Sequence, residues 1–313
     1  MTQTNTTEVE FKTLDGLTLR GTLYLSNESR GPAVIMTPGF NTTKGMFLPK
    51  VAQYLQEAGI SALVYDPRTV GASEGLPRNN IVPTLQISDY SDALTFLMHL
   101  PSISPDKIAF WGFSFSGAMA LCAAALDKRA CSVVAVCPLT VWELDDKKWK
   151  GVMAKCMQDR ESQTKGGNAP FAIPMVNSSG QNPAGFGSGI GTAELELLRD
   201  SKAKIPDFEV TTTIQTYWHI MNWGGPFGAL KWLEGTPVLV LTPEDDCISP
   251  AHKQKELIYD AIPDLKGSGA SGEEPRKAFH LVEGRGHMDV LDGDSFPVVM
   301  GKQVRFLRTW FGS

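Results

Sequence analysis

The sequence predicts an α/β fold with a mostly parallel central sheet, and three observations carry this prediction. Short aliphatic or β-branched runs alternate with amphipathic stretches through the first third of the chain, as in strand–helix–strand units. The same alternation returns near the C-terminus after a long interruption. A chain of 313 residues that is 42% hydrophobic and 20% charged can also bury a large core.

The first third of the chain begins with a hairpin and continues with alternating strands and helices. Thr7 to Leu25 is expected to pair with itself in antiparallel fashion, because alternating apolar residues flank the turn dipeptide Asp15-Gly16. Buried strands are expected next at Ala33 to Thr37, Ser61 to Tyr65, Ile108 to Trp111 and Val133 to Val136. Helices are expected between them at Phe47 to Ala58, Thr84 to His99 and Phe115 to Leu126.

The alternation breaks after Pro138, and residues 140–235 are predicted to form a lid or cap inserted after the sixth strand. Residues 1–139 and 236–313 would then form the core. The core pattern resumes with strands at Val238 to Leu241 and Ala278 to Val282, and with helices at Pro250 to Ala261 and Val304 to Phe311. The composition of Lys266 to Pro275 predicts a flexible surface loop.

Charge and cysteine content exclude several classes of function. The net charge of -5 comes from interspersed acids and bases without a long basic run, so a nucleic-acid partner is not expected. No apolar run reaches the roughly 18 residues of a membrane span, and the polar N-terminus lacks a secretion signal, so a cytoplasmic location is expected. The five cysteines form no C-x-x-C pair, which favours reduced thiols over disulfides or a metal site.

Two segments resemble G-x-S-x-G, a pattern in which a nucleophilic serine sits on a strained turn between a buried strand and a helix. Gly71 to Gly75 matches it letter by letter around Ser73, but no helix begins after it. Gly112 to Gly117 matches less literally, yet it follows an apolar strand and leads into an alanine-rich helix. Ser114 is therefore the predicted nucleophile, and Ser116, which also has small neighbours, is the alternative.

A serine nucleophile needs a histidine to take its proton and a carboxylate to orient that histidine. His287 lies in a glycine-rich loop after the last strand, which fits the chain order serine, acid, histidine. The acid is expected after the strand at 238–241, and Asp246 is favoured because Pro250 starts a helix four residues later. Asp245 remains the alternative. The other histidines fall in predicted helices, in a strand or in the insertion: His99, His219, His252 and His280.

Two backbone N–H groups are needed to stabilise the negatively charged oxygen of a tetrahedral intermediate. The residue after the nucleophile, Phe115, supplies one of them. The second is expected from the loop after the third strand, where Pro38 and Gly39 set an unusual turn and Phe40 is the favoured donor.

The insertion holds five of the seven tryptophans. Such aromatic content suits a lid over a long, weakly polar acyl chain, since ligand pockets are mostly apolar. The same aromatic residues could instead form the core of the insertion or the contact of a homodimer. Asn222 and Trp223 are the residues predicted to line the pocket.

Several stretches resemble the dienelactone-hydrolase-like branch of the α/β hydrolases, and more closely the fungal polyketide transferase and hydrolase family. They are Thr13 to Leu17, Thr37 to Lys44, Tyr65 to Arg68, Gly71 to Gly75 and Ile87 to Ala93, together with the turn from Gly112 to Gly117 and the loops that carry Asp246 and His287. The chain departs from the common pattern at two points. Met36 to Gly39 lacks the His-Gly that is common in broader hydrolases, and Arg68-Thr69 stands where Arg-Gly is usual. The resemblance implies an α/β-hydrolase fold, no metal or organic cofactor, and work beside a polyketide synthase whose carrier domain delivers the acyl chain.

Three functional hypotheses follow. The first is a hydrolase or acyltransferase that forms an acyl-Ser114 intermediate on a thioester-linked or ester-linked polyketide-type chain. The second is a cyclase or carbon–carbon bond-forming enzyme, in which His287 removes a proton and the oxyanion hole holds an enolate. The third is a binding protein without catalysis, which the complete set of serine, histidine and acid positions disfavours.

Overall fold

A computed structural model describes residues 5–166, 168–187, 189–264 and 275–312 of the chain. Within these ranges the strands are β1 (Thr6–Lys12), β2 (Thr18–Tyr24), β3 (Gly31–Thr37), β4 (Ser61–Tyr65), β5 (Ile103–Phe113), β6 (Val133–Val136), β7 (Ala172–Pro174), β8 (Thr211–Thr213), β9 (Val238–Pro243) and β10 (Lys277–Val282). The helices are α1 (Leu48–Glu57), α2 (Pro83–Met98), α3 (Phe115–Leu126), α4 (Trp149–Thr164), α5 (Thr192–Lys204), α6 (Ile214–Trp223), α7 (Ala251–Gln254) and α8 (Phe296–Phe311).

Eight of these strands form one sheet in the order β1-β2-β4-β3-β5-β6-β9-β10. β1 pairs antiparallel with β2, and β2 pairs antiparallel with β4, whereas the pairs from β4 to β10 are parallel. The predicted α/β fold with a mostly parallel sheet is confirmed. The parallel strands are apolar on both faces because helices cover both sides of the sheet.

Each face of the sheet has its own hydrophobic core. One core packs α2 and α3 against the sheet, and alanine-rich α3 is buried along nearly its whole length. The other core packs α1 and α8 against the opposite face around Trp111. The indole N–H of Trp111 donates to Oε1 of Gln303 on α8 at 2.7 Å, so its burial leaves no unpaired donor.

Residues 140–235, the predicted insertion, leave the main sheet between β6 and β9. They contain α4, β7, α5, β8, α6 and a 3-10 helix at Leu230–Leu233. β7 and β8 pair with each other in a separate antiparallel ribbon. No helix within the described ranges is long and apolar enough to cross a membrane.

Two helices and strand β5 differ in extent from the sequence prediction, and β5 begins at Ile103 rather than Ile108. α8 begins at Phe296 rather than Val304, since Pro297 occupies its first turn and Phe296, Val299 and Met300 already face the core. The helix predicted from Pro250 to Ala261 is a short α-helix followed by a π-helical turn that ends at Tyr259. The loop predicted at Lys266 to Pro275 lies outside the described residues, except for Pro275.

Candidate active site

Ser114 sits on a strained turn between β5 and α3. Its φ of 57° lies in the left-handed region that residues with side chains rarely adopt. Its backbone N–H donates to the carbonyl of Val136 at 2.8 Å, which ties the turn to the neighbouring strand. A Cβ on Gly112 would lie 2.0 Å from the backbone oxygen of Ser116, so this position accepts only glycine. These features are those of a nucleophile elbow.

The other two candidate serines have structural hydrogen bonds instead. The hydroxyl of Ser116 donates to the carbonyl of Pro38, which joins the start of α3 to the loop after β3. The hydroxyl of Ser73 donates to the carbonyl of Asp66 at 2.6 Å and accepts from the backbone N–H of Arg20 at 2.9 Å. Ser73, with only 1% of its surface exposed, ties its loop to β2 and to Asp66 and lies outside the cavity that contains Ser114.

His287 and Asp246 meet in the loops that follow the carboxyl ends of β10 and β9. The Nδ1 atom of His287 lies 2.8 Å from Oδ2 of Asp246, and both side chains are almost fully buried. Because Nδ1 is engaged by the carboxylate, Nε2 is the ring nitrogen that remains for a partner in the cavity. Asp245, the alternative acid, is exposed, and its backbone N–H donates to the carbonyl of Arg285. The structure therefore brings Asp246, and not Asp245, to the histidine.

Three further donors hold the Asp246 carboxylate in place. Oδ1 accepts from the backbone N–H groups of Ile248 at 2.9 Å and Ser249 at 2.8 Å. Oδ2 accepts from Nε2 of Gln254 at 3.0 Å, in addition to its bond with His287. Gln254 is itself fixed, because its Oε1 accepts from the hydroxyl of Thr242 at 2.8 Å. Gln254 was not predicted from the sequence, where its only signal was a polar residue on the inner side of the helix after Pro250.

Cys137 lies against Asp246 and His287, and the spacing of these three side chains is one that could hold a metal ion. Ligand atoms of Cys137, Asp246 and His287 all lie within 4.8 Å of one another. Burial raises the pKa of the Cys137 thiol well above its usual value, with a further contribution from the Asp246 charge. The thiol donates to the carbonyl of His287 at 3.6 Å. Since a metal ligand or nucleophile must be a thiolate, Cys137 is suited to a packing role.

Two backbone N–H groups next to Ser114 have no protein acceptor among the described residues, those of Phe40 and Phe115. Phe115 is the first residue of α3, where a helix leaves its N–H groups unpaired. Phe40 follows Gly39, whose position for a Cβ lies 3.5 Å from the Ser114 Cβ, so the loop after β3 lies close against the serine. Both N–H groups are thus available to bind an oxygen of a ligand attached to Ser114.

Ser114 and His287 line one cavity whose walls are mostly apolar. From the core, the other lining residues are Gly39, Phe40, Thr42, Phe47, Phe113, Leu139, Ile248 and Met288. From the segment 140–235, they are Met175, Val176, Asn182, Phe186, Gly187, Gly189, Ile190, Glu194, Leu197 and Leu198. Asn182 is a structural residue, since its amide nitrogen donates to Met175 and Tyr217 and its oxygen accepts from two backbone N–H groups.

The structure does not bring Asn222 and Trp223, the predicted pocket residues, into this cavity. Asn222 is exposed to solvent. Trp223 packs edge-on against Trp142, with ring centroids 4.7 Å apart, and Trp142 separates it from Phe115. Of the aromatic residues of the insertion, Phe186 lines the cavity, whereas Phe208 and Tyr217 are fully buried and do not line it. The lining aliphatic residues could have been suspected only from Met175-Val176 and Leu197-Leu198, short apolar pairs in a polar stretch.

Several known proteins are similar to this chain over most of its length. The family model of the α/β hydrolase fold matches residues 32–167. A thiohydrolase of Eupenicillium brefeldianum is 49% identical over 301 residues, which cover 96% of this chain and 93% of that protein. Polyketide transferase af380 of Aspergillus fumigatus is 42% identical over 304 residues, which cover 97% of this chain and 98% of the relative.

Two solved structures resemble the whole chain. DcsB, in a complex with its substrate analogue, superposes with a TM-score of 0.89 at 36% identity, covering 99% of this chain and 100% of the other. The α/β hydrolase GrgF from Penicillium sp. sh18 has a TM-score of 0.86 at 34% identity, with coverages of 98% and 99%. The chain therefore belongs to the α/β-hydrolase family, as an enzyme of the group that contains these fungal polyketide transferases and thiohydrolases.

Proposed function

We propose that this enzyme is a serine acyl hydrolase or acyltransferase that acts on a thioester-linked polyketide-type acyl chain. One observation carries the proposal: a strained Ser114 shares an apolar cavity with a His287 that is already bonded to a buried carboxylate. The names of the relatives, which include thiohydrolase, acyltransferase and polyketide transferase, support the same class of reaction.

The reaction proceeds in two steps. Nε2 of His287 takes the hydroxyl proton as Ser114 Oγ attacks the thioester carbonyl, and the N–H groups of Phe40 and Phe115 stabilise the negative charge on the carbonyl oxygen. The carbon–sulfur bond breaks, the thiolate takes the proton from His287, and an acyl-Ser114 ester remains. Water or an acceptor hydroxyl then gives its proton to His287 and attacks this ester, which frees the acyl chain and returns the proton to Ser114. No metal or organic cofactor takes part.

The cavity walls indicate the kind of acyl chain. Apolar residues from both the core and the insertion surround the serine, so a long and weakly polar chain is favoured. We propose that residues 140–235 act as the lid over this chain. A carrier domain of a polyketide synthase is the proposed donor, because its thioester supplies the leaving thiol that the mechanism requires.

The test uses fluorophosphonate labelling, followed by intact mass, and turnover of N-acetylcysteamine thioesters of increasing chain length. Wild type should gain one label, and the variant Ser114→Ala should lose both label and turnover. His287→Ala should lose turnover, while Ser73→Ala is the matched control that should keep both. Unlabelled wild type, or a Ser114→Ala variant with full activity beside an inactive His287→Ala, would refute the acyl-enzyme mechanism.

A further inference from the structure

Asn41 directly follows Phe40, the residue that offers the second oxyanion N–H. Its φ of 51° is in the left-handed region, where asparagine is tolerated better than other residues with side chains. Only 3% of its surface is exposed. Its side chain points away from solvent, and its contacts therefore reveal what this position is built to do.

The amide of Asn41 joins the loop after β3 to the main chain of the insertion. Its Nδ2 donates to the carbonyl of Thr211 at 2.7 Å and lies 3.3 Å from the carbonyl of Glu209. It also lies 3.5 Å from Sδ of Met175, a residue of the cavity wall. One side chain thus connects the oxyanion loop with both the β8 end of the insertion and the wall of the cavity.

The insertion backbone that Asn41 binds is itself fixed to the core. The hydroxyl of Thr212 donates to the carbonyl of Asn79 at 2.8 Å, and the backbone N–H of Thr213 donates to the same oxygen at 3.1 Å. The hydroxyl of Thr213 donates to Oδ1 of Asn80 at 2.6 Å. The backbone that Asn41 binds is therefore anchored in place, so the Asn41 amide can set the position of Phe40.

The local hydrogen bonding is not optimised for stability. Oδ1 of Asn41 and the hydroxyls of Thr42 and Thr43 are buried without a protein partner among the described residues. A buried polar atom left unpaired costs about 1–3 kcal/mol. Three unpaired polar atoms in consecutive residues therefore indicate that this loop serves a purpose other than stability.

We propose that Asn41 is a positioning residue that holds the Phe40 N–H in the oxyanion hole by tying its loop to the backbone at Glu209 and Thr211. This inference rests on the proposed function, since it concerns the oxyanion hole of the acyl-transfer reaction. It predicts that Asn41 affects the transition state, where charge develops on the oxygen, and leaves binding of the ground state almost unchanged.

Two variants separate the amide from the unusual backbone. Asn41→Gly accepts the positive φ without strain and removes the amide. Asn41→Asp keeps the shape of the side chain and also tolerates this φ, but it places a carboxylate oxygen, an acceptor, against the carbonyl oxygen of Thr211. Both should lower kcat for a thioester by roughly 10- to 100-fold with KM changed less than about threefold, because a small misplacement of an oxyanion donor has that cost. Gln215→Leu is the control for general destabilisation, because it removes two buried hydrogen bonds inside the insertion that the Gln215 amide donates to the carbonyl of Cys156 and to Oδ2 of Asp159.

Affinity for a benzeneboronic acid provides a second readout, because its serine adduct is tetrahedral and places an oxygen in the hole. In the Asn41 variants this affinity should fall by the same factor as kcat, whereas Gln215→Leu should retain both. Wild-type affinity and kcat in Asn41→Gly, or equal losses in Gln215→Leu, would overturn the positioning role while leaving the acyl-enzyme mechanism intact. If wild type neither binds the boronic acid nor turns over thioesters, the proposed function falls, and the positioning role falls with it.

Discussion

The hydrogen bonds around Asp246 make Asp246→Asn a sharp test of the catalytic triad. Oδ1 accepts from two backbone N–H groups, at 2.9 and 2.8 Å, and these donors require an oxygen. The carbonyl oxygen of the new asparagine must therefore take the Oδ1 place. Its NH2 group then occupies the place of Oδ2, which is 2.8 Å from Nδ1 of His287.

That arrangement reverses the histidine tautomer. An NH2 group facing Nδ1 requires a lone pair there, so the ring proton moves to Nε2, which can no longer accept the proton of Ser114. The loss of the carboxylate also removes the charge that stabilises the imidazolium. We expect kcat/KM to fall by roughly 10⁴-fold, which is about 5 kcal/mol of transition-state stabilisation. The fold should survive, because Nε2 of Gln254 still donates to the carbonyl of Ser249.

The assay is steady-state hydrolysis of one N-acetylcysteamine thioester, with thermal unfolding measured on the same samples. Asp245→Asn is the matched control, because Asp245 is the exposed neighbour that the sequence alone could not exclude. It should keep kcat/KM within about threefold of wild type, as surface substitutions usually do. If Asp246→Asn retains more than a tenth of the activity while folded, or if Asp245→Asn loses as much, the assignment of the acid is wrong.

Three further outcomes are expected. Ser73→Ala should leave kcat unchanged but lower the free energy of unfolding by about 1–3 kcal/mol, measured by urea unfolding, since the acceptor and donor it serves are buried; unchanged stability would contradict this. Phe186→Ala should raise KM for a long-chain thioester by about tenfold, because its ring lines the cavity, while Asn222→Ala should not. A larger rise in Asn222→Ala than in Phe186→Ala would support the prediction from sequence that Asn222 lines the pocket. The hydrogen bond from Arg68 lowers the pKa of Asp15 to about 2, so the ionised carboxylate stabilises the fold above its unfolded pKa and this contribution is lost as pH falls. The difference in Tm between wild type and Asp15→Asn should therefore be present at about pH 5 and shrink toward about pH 3. A difference that grows on acidification would contradict the predicted direction of the effect.

The positions of the serine turn and of the histidine loop in the proposed active site could be inferred from the sequence because each depends on a local signal. An apolar strand followed at once by Gly112, Ser114 and an alanine-rich helix is a pattern that a tight turn requires, whatever the rest of the chain does. The same holds for His287, which follows a strand in a glycine-rich loop. The start of α8 was missed, although Pro297 in its first turn is a local signal for the start of a helix.

The walls of the cavity could not be inferred in this way. Tryptophans concentrated in the insertion suggested a pocket around Trp223, yet Trp142 lies between that residue and the elbow. Large aromatic side chains bury the most surface wherever they pack, so their abundance does not distinguish a pocket from a core. Met175, Ile190 and Leu197 line the cavity only because the insertion folds back against the part of the core that carries Ser114 and His287.

The sequence by itself determined the fold class, the elbow serine and the loop that carries the histidine, because strand and helix periodicity and glycine requirements are properties of short segments. Only the tertiary structure decided between Asp246 and Asp245, adjacent carboxylates of equal chemistry, by directing one of them inward to two backbone N–H groups and His287. It also joined Asn41 to the backbone of Thr211, far along the chain. Such contacts depend on which segments the sheet and its insertion bring together, and the spacing of residues along the chain does not encode that directly.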